Sequence, residues 1–186
     1  GWYATGPVHG IQLQRGPYAG RLIIPSDHRI AAVESWGSHV IYSDDHGQAW
    51  QLGAVDTHLG ADPIHPNENV AVELNDGRIY FNAREQHGTS PGNRAIAFSS
   101  DGGLTYDASF VAEPNISTPI VQNSAIRFAS TLDGDVEDIL IYSSPGQWDS
   151  RADMTIRVSF DEGLTWEMDT IIHPGSAAYS DLIKLD

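Results

Sequence analysis

The fold is decided by three short stretches of one pattern: "SDDHGQAW" at residues 43–50, "SSDGGLTY" at residues 99–106 and "SFDEGLTW" at residues 159–166. Each stretch reads S-x-D-x-G-x-x-aromatic. The three aspartates are 56 and 60 residues apart (101 − 45 and 161 − 101). This distance is the length of a unit of four short strands with their connections. Three copies in register therefore indicate a repeated architecture.

The residues of the pattern are typical of a hairpin turn that is held by its own side chains. Ser and Asp side chains hydrogen-bond to turn amides, Gly supplies a positive φ, and the aromatic side chain packs back on the unit. We therefore interpret these positions as folding elements rather than catalytic ones: Ser43, Asp45, Gly47, Trp50, Ser99, Asp101, Gly103, Tyr106, Ser159, Asp161, Gly163 and Trp166. The pattern is the Asp-box, and it resembles the bacterial neuraminidase (BNR) repeats of sialidases and other β-propellers.

Short strand-like segments lie between the boxes. They are rich in Val, Ile, Tyr and Phe, and no segment keeps a 3.6-residue apolar period over 11 or more positions. We predict an all-β chain of four-stranded antiparallel β-propeller blades, with the box between the third and fourth strands. The first predicted strand is "GIQLQ" (10–14), and "LTYDASFV" (104–111) is the last strand of the second blade. The predicted blades span about residues 10–56, 69–113 and 124–172, and residues 180–186 begin another blade.

Three blades and one further strand do not close a propeller ring, which usually has four to eight blades. The open arrangement leaves strand edges unpaired. We expect residues 1–186 to be part of a larger propeller domain, with a six-bladed parent. The remaining blades of that parent are the expected protein partner.

The composition excludes several classes of function. The chain has 186 residues, of which 40% are hydrophobic and 19% charged, as in a globular protein. Its net charge of −15 disfavours nucleic acids and anionic lipid surfaces as partners. The chain has no Cys, and its eight His show no H-x-x-x-H spacing, so we predict no metal site and no cofactor. No apolar run approaches the roughly 18 residues of a membrane span.

Four segments outside the boxes resemble motifs of exo-sialidases of glycoside hydrolase family 33 and their animal relatives. They are "GPVHGIQLQRGPYAGRLIIP" (6–25), "PNENVAVELNDGRIYFNAR" (66–84), "QWDSRADMTIRVSFDEG" (147–163) and "GSAAYSDL" (175–182). The resemblance covers nearly the whole chain in order and spacing. It implies retaining hydrolysis of terminal sialic acids, a sialylated glycan as substrate, and a secreted or periplasmic location.

The resemblance also implies roles for individual residues. Tyr179 matches the nucleophile, and Glu68 matches the glutamate that pairs with it. Arg84 and Arg151 match two of the three arginines that bind the carboxylate of sialic acid, and Gln122 matches a polar residue of the substrate pocket. The third arginine and the aspartate that acts as general acid and base are expected upstream of this chain. We therefore expect the isolated chain to be inactive.

Reaction chemistry independently suits these residue types. Sialic acid carries a carboxylate on its anomeric carbon, so an Asp or Glu nucleophile would approach against a like charge, whereas a phenol would not. A phenol has an ordinary pKa near 10, so it needs a base within hydrogen-bonding reach. Arginine suits the substrate carboxylate because its planar fork binds both oxygens.

Other interpretations stay open for the same residues. Taken singly, Arg84 and Arg151 are typical surface ion-pair partners, Glu68 between two asparagines is typical of a loop, and Tyr179 of ordinary packing. The alternative function is a non-catalytic Asp-box propeller for carbohydrate binding or assembly, and a hydrolase or lyase for another acidic sugar is a third.

Two further segments carry residues without an assigned role. Asp27 and Asp149 lie outside the setting of the acid/base aspartate, and we assign neither to that role. Asp27 and His28 fall where the resemblance implies a loop on the side of the leaving group, and a surface turn is the competing interpretation.

Overall fold

The chain folds into three antiparallel sheets that follow one another in sequence. The structure is a computed structural model that describes residues 2–30, 35–56 and 63–185. The first sheet contains β1 (Trp2–Thr5), β2 (Ile11–Gln12), β3 (Leu22–Ile30), β4 (Ser35–Ser43) and β5 (Gln51–Val55). The second contains β6 (Pro66–Glu73), β7 (Ile79–Glu85), β8 (Arg94–Ser99) and β9 (Val111–Ala112). The third contains β10 (Ser124–Ala129), β11 (Ile139–Pro145), β12 (Ala152–Ser159) and β13 (Glu167–Ser176).

Strand order within each sheet follows chain order, which is the arrangement of a meander. The orders are β1-β3-β4-β5 with β2 also paired to β3, then β6-β7-β8-β9, then β10-β11-β12-β13. Two 3₁₀ turns, Gly16–Tyr18 and Thr131–Asp133, lie in the connections. The prediction of an all-β chain built from four-stranded antiparallel units is confirmed, and the first sheet carries one strand more.

The cores lie between neighbouring sheets. Ile23 of the first sheet packs in one cluster with Ile79 and Phe81 of the second. Tyr80, on the opposite face of β7, packs in another cluster with Leu140 of the third sheet. Side chains alternate between the faces of a strand, so β7 contributes to both cores and its sheet is covered on both sides.

The three boxes form the same turn at the β4–β5, β8–β9 and β12–β13 connections. In each, the Ser hydroxyl donates to the Asp Oδ1 at 2.8–2.9 Å and accepts from the Gly amide at 2.9 Å. The Asp Oδ1 also accepts the amide four residues further along the chain. The glycines have φ values of 83–85°, and the residue before each also has a positive φ. This is the twist that a tight hairpin turn requires.

The box aromatics pack differently in the three copies. Tyr106 is partly buried beside Phe81 and Phe110, and Trp166 packs on Tyr142 with ring centroids 5.3 Å apart. Trp50 covers its own turn, where its indole N–H donates to the Gly47 carbonyl at 3.1 Å. Tyr106 and Trp166 therefore hold their turns against the neighbouring aromatic side chains, whereas Trp50 closes its turn by a hydrogen bond within it.

Several predicted strand limits differ from the structure. The strand β1 was not expected, and it pairs with the second half of β3 from Trp2↔Arg29 to Thr5↔Ser26. It is short and mostly exposed, so it carries no alternating burial pattern that a sequence could display. The segment "GIQLQ" forms only the two-residue β2.

The segment "LTYDASFV" pairs with β8 only at its end, as β9. Its earlier residues serve the box instead, since Thr105 bonds to Asp101 through both amide and hydroxyl. No strand forms within residues 180–185, contrary to the prediction. Their polar groups bond to side chains rather than to a ladder, as when the Leu182 amide donates to the Ser124 hydroxyl at 3.1 Å.

Candidate active site

Glu68 lies in β6 at a β-bulge. Pro66 pairs with Glu85 and Asn69 pairs with Ala83, so β6 has one residue more than β7 in this interval. A bulge redirects side chains, and bulges recur beside active sites. The strand position and the burial of both neighbouring asparagines do not fit the interpretation of Glu68 as a loop carboxylate.

Arg84 is the last residue but one of β7 and lies on the same rim as the start of β6. Its Nη1 donates to Glu68 Oε2 at 2.9 Å, and both side chains are 15% exposed. The Asp-boxes lie at the other rim, because Arg84 pairs with Arg94 at the start of β8 and the second box begins where β8 ends. The site and the boxes are therefore separated by the length of the strands.

Tyr179 lies in the irregular segment that follows β13. Its hydroxyl donates to Glu68 Oε1, and it accepts from Arg84 Nη1 at 3.3 Å. The tyrosine side chain is 47% exposed, so one side of the phenol is open. A carboxylate, a guanidinium and a phenol thus meet at one point, although 111 residues separate Glu68 from Tyr179.

The segment that carries Tyr179 is held by backbone and side-chain bonds on both sides of the phenol. The Ala177 amide donates to the Arg151 carbonyl at 2.9 Å. The Ser180 hydroxyl lies 2.8 Å from the Ser143 hydroxyl and also donates to the Ser143 carbonyl. The phenol is therefore positioned by its neighbours, and not only by its contact with Glu68.

Gln122 makes the most direct of these contacts. Its Nε2 donates to the Ser180 carbonyl at 2.6 Å, and its Oε1 accepts from the Ser180 amide at 3.0 Å. The residue is 2% exposed, and Nε2 also donates to the Asn123 carbonyl. Both ends of this amide are engaged by the protein, which favours a role in positioning Tyr179 over contact with substrate.

Arg151 lies on the rim, just before β12. Its Nη2 donates to the Ile120 carbonyl at 3.0 Å, and its guanidinium carbon is 5.8 Å from the centroid of the Tyr179 ring. A neighbouring cavity of about 490 Å³ is lined by Arg151 together with Trp148 and Asp149. The second predicted arginine is thus brought to the same phenol as the first.

The phenol is protonated in this environment. Partial burial, then the hydrogen bond and charge of Glu68, raise the pKa of Tyr179, whereas the charges of Arg84 and Arg151 oppose this rise. Tyr179 can therefore act as a nucleophile only while a base removes its proton, and Glu68 already accepts its hydrogen bond.

Asp27 and His28 are placed in β3, not in a loop or surface turn as expected. Asp27 is 1% exposed, and His28 bonds to His39 of β4, with their Nδ1 atoms 3.2 Å apart. Burial, followed by the charge of Glu68, raises the pKa of Asp27 to about 7, and the charge of Arg84 and the hydrogen bond from Asn67 oppose the rise. Asp149 is exposed on the loop before Arg151.

Sequence reasoning missed the residues that hold this arrangement together. Asn67 joins the first sheet to the second, because its Nδ2 donates to Asp27 and its carbonyl accepts from the Ser38 hydroxyl. Ser143 and Ser180 anchor the tyrosine segment. The sequence did offer a signal for Asn67. An asparagine at the start of a strand is costly to bury without a hydrogen-bond partner, so a polar contact with another segment could have been expected.

Residues 2–30, 35–56 and 63–185 contain no cluster of three or more metal-ligating side chains. Among the same residues, no helix has the length and apolar character to cross a membrane.

Comparison with known proteins finds sialidases among the relatives of this chain. A family model described as a BNR repeat-like domain matches residues 1–186. The chain is 37% identical over 178 residues to a sialidase of Micromonospora viridifaciens and 32% identical over 209 residues to a sialidase of Vibrio cholerae. The matches cover 95% and 97% of this chain but only 26% of each relative. The chain therefore spans about a quarter of the length of these sialidases.

Solved structures give the same result for the fold. The chain superimposes on the intramolecular trans-sialidase of Ruminococcus gnavus, solved in complex with oseltamivir carboxylate, with a TM-score of 0.74 and 27% identity. That match covers 97% of this chain and 36% of the other. The Hadza microbial sialidase Hz136 matches with a TM-score of 0.75 at 24% identity, over 94% of this chain and 31% of its own. The three sheets correspond to part of a sialidase β-propeller, which confirms the predicted resemblance.

Proposed function

Because the chain belongs to the family of BNR repeat-like domains and its relatives at 27–37% identity are sialidases, we propose that it carries the nucleophile side of an exo-α-sialidase active site. The observation that carries this proposal is the contact of the Tyr179 hydroxyl with Glu68 and Arg84. The proposed substrates are terminal sialic acids of glycoconjugates. The proposed reaction is their hydrolysis with retention of configuration.

Arg84 and Arg151 bind the substrate carboxylate in this proposal. Both hydrogen bonds that the Arg84 side chain makes with described residues are donated by Nη1. The Nη2 group is therefore available to an incoming anion in this proposal. Arg151 lies by the Tyr179 ring, with its guanidinium carbon 5.8 Å from the ring centroid. Two guanidinium groups next to one phenol would hold the anomeric carbon close to the Tyr179 oxygen, and such positioning lowers many catalytic barriers substantially.

In the first step, the Tyr179 oxygen forms a bond to the anomeric carbon while the glycosidic C–O bond breaks. Glu68 takes the phenolic proton, and the leaving alcohol takes a proton from an acid. In the second step, water attacks the same carbon and gives a proton to the conjugate base of that acid, while Tyr179 leaves and recovers its own proton from Glu68. Two displacements at one carbon retain its configuration.

The acid and a third arginine are not assigned to residues of this chain. We therefore expect residues 1–186 alone not to hydrolyse a 4-methylumbelliferyl sialoside at an ordinary enzymatic rate. A fluoride leaving group needs little help from an acid, so a 2,3-difluorosialic acid is the better probe. Its second fluorine also slows hydrolysis of the adduct, because it destabilises the oxocarbenium-like transition state.

The experiment is incubation of the chain with 2,3-difluorosialic acid, followed by measurement of the intact mass. We expect one fluorosialyl group per chain in the wild type. The matched variant Tyr179→Phe keeps the ring and removes only the attacking oxygen, and it should gain no mass. Equal labelling of the wild type and the variant would contradict the assignment of Tyr179 as the nucleophile. No labelling of either would favour a carbohydrate-binding or assembly propeller without catalysis.

A further inference from the structure

Asp27 carries a buried carboxyl group, and the reaction proposed above does not use it. It lies in β3, opposite Ala4 of β1 and Ser38 of β4, on the face that packs against the second sheet. Its Oδ1 accepts from Asn67 Nδ2 at 3.0 Å. Its Oδ2 is buried and has no hydrogen-bond partner among the residues that the structure describes. An oxygen of this kind is costly to leave ionised, and a proton on it is the simplest compensation.

The charges that act on the Asp27 carboxyl belong to residues of the second sheet. Glu68, next to Asn67 in β6, and Arg84 in β7 both act on its charge. Other titratable groups of the first sheet include Arg29, two residues from Asp27 on the same face of β3, His28 on the other face, His39 on β4, Tyr3 on β1 against the His39 ring, and Asp56 after β5, whose amide bonds to Ser38. The closest charge relationship of Asp27 is therefore with the Glu68–Arg84 pair.

The charge of the site depends on this buried group. With Asp27 ionised, two carboxylates (Asp27 and Glu68) face two guanidinium groups (Arg84 and Arg151), and their charges sum to zero. With Asp27 protonated, the same four groups carry a net charge of +1. The second state attracts an anionic ligand more strongly than the first by the effect of one charge, and burial makes this difference larger than it would be in water.

We propose that Asp27 holds a proton whenever the site binds an anionic sugar, and that ionisation of Asp27 weakens this binding. Asp27 touches no substrate in this proposal, because it is buried, and it acts through its charge on Glu68 and Arg84. The ligand part of this inference rests on the proposed function. The protonation part rests on the surroundings of Asp27 alone.

The sign of the pH dependence follows from linkage. Burial and Glu68 raise the pKa of Asp27 to about 7, so the neutral form predominates below that pH and the ionised form above it. A ligand that prefers the neutral form binds best below pH 7 and takes up a proton when it binds above pH 7. Its Kd should rise by roughly up to tenfold per pH unit above the transition.

The first measurement needs no ligand. The side-chain carboxyl ¹³C resonance of Asp27 should titrate near pH 7 in the full chain, and its inflection should move to lower pH in Glu68→Gln, which removes the neighbouring charge. A titration of Asp27 below pH 5 in the wild type would overturn the inference. So would an inflection that Glu68→Gln does not move.

The second measurement is calorimetric binding of 2,3-didehydro-2-deoxy-N-acetylneuraminic acid between pH 5.5 and 8, in buffers of different ionisation enthalpy. We expect proton uptake and weakening affinity above pH 7 in the wild type, and neither in Asp27→Asn, which keeps the acceptor for Asn67. Glu113→Gln is the matched control, because Glu113 is also 1% exposed with a pKa raised by burial but lies after β9. It should behave as wild type.

The outcomes separate the two proposals. Binding with the same pH dependence in wild type and Asp27→Asn would overturn the inference and leave the proposed function standing. Absence of binding at every pH in both chains would overturn the proposed function and the ligand part of the inference with it.

Discussion

The two rims of these sheets differ in the sequence separation of the residues that bond to each other. At one rim, each Asp-box closes its own turn with bonds between residues no more than four positions apart. At the other, the contact between Glu68 and Tyr179 joins residues 111 positions apart. A box is therefore a local solution repeated three times, whereas the site exists only after the second and third sheets have packed. Stability and chemistry are therefore divided between the two rims and carried by different residues.

The largest expected effect is at the phenol. Tyr179→Phe should abolish fluorosialyl labelling, while the melting temperature stays close to that of the wild type, because the side chain is 47% exposed. Glu68→Gln should slow labelling by roughly 10²–10⁴-fold, since the amide cannot take the phenolic proton. Time-resolved intact mass and thermal unfolding measure the two properties. A large loss of stability in Tyr179→Phe would contradict the division between the rims.

The next effect is at the amide that holds the tyrosine segment. Gln122→Ala removes both bonds to the Ser180 backbone and should slow the maximal labelling rate by about 10–100-fold. The probe concentration at half-maximal rate should change less, because the arginines remain. Gln122→Glu keeps the acceptor for the Ser180 amide and should recover part of the rate. A change in the half-maximal concentration alone would instead indicate direct contact with the sugar.

At the other rim, Asp101→Ala should lower the free energy of unfolding by about 1–3 kcal/mol. The carboxylate accepts bonds from the Leu104 and Thr105 amides and from the Ser99 and Thr105 hydroxyls. Asp45→Ala should cost less, because the equivalent position to Thr105 is Ala49, which has no hydroxyl. Urea denaturation measures both, and the labelling rate of each should stay within about twofold of wild type. Slow labelling in a stable box variant would show that the rims are coupled.

The last prediction concerns the pH dependence of stability. The pKa of Asp27 rises from 3.8 to about 7 on folding, so the folded chain binds this proton more tightly than the unfolded chain. The contribution of Asp27 to stability is therefore present below pH 4 and is lost as the pH rises to 7. Asp27→Asn should be more stable than wild type at pH 8, with a difference that shrinks towards pH 5. Thermal unfolding across this range measures it, and a difference independent of pH would contradict the assigned protonation.

The two rims also differ in how far the sequence predicts them. A box is visible in eight residues because all its partners are local, so its turn, its glycine and its position between the third and fourth strands could be predicted. The site residues could be named only through resemblance to sialidases. Nothing in the surroundings of Arg84 or Tyr179 in the chain indicates that they meet.

What could not be predicted depends on packing between sheets. The bonds of Gln122 to Ser180 could not be predicted, because they depend on the path of the segment after β13, which places Ser180 against both ends of the Gln122 amide. Asp27 was expected in a loop, but pairing with the unforeseen β1 extends β3 through it and buries it. The predicted strand over residues 180–186 is absent through residue 185. The Gln122 side chain bonds to both backbone groups of Ser180, and the Ser124 hydroxyl accepts the Leu182 amide, so these groups are not available to a ladder.

The central claim is that the Tyr179 oxygen is the nucleophile, and peptide mapping of the labelled chain tests it most directly. After incubation with 2,3-difluorosialic acid and proteolysis at low pH, tandem mass spectrometry should place the added fluorosialyl mass on Tyr179. We expect the label on this residue and on no other. Label on Glu68, on Asp27 or on another tyrosine would contradict it.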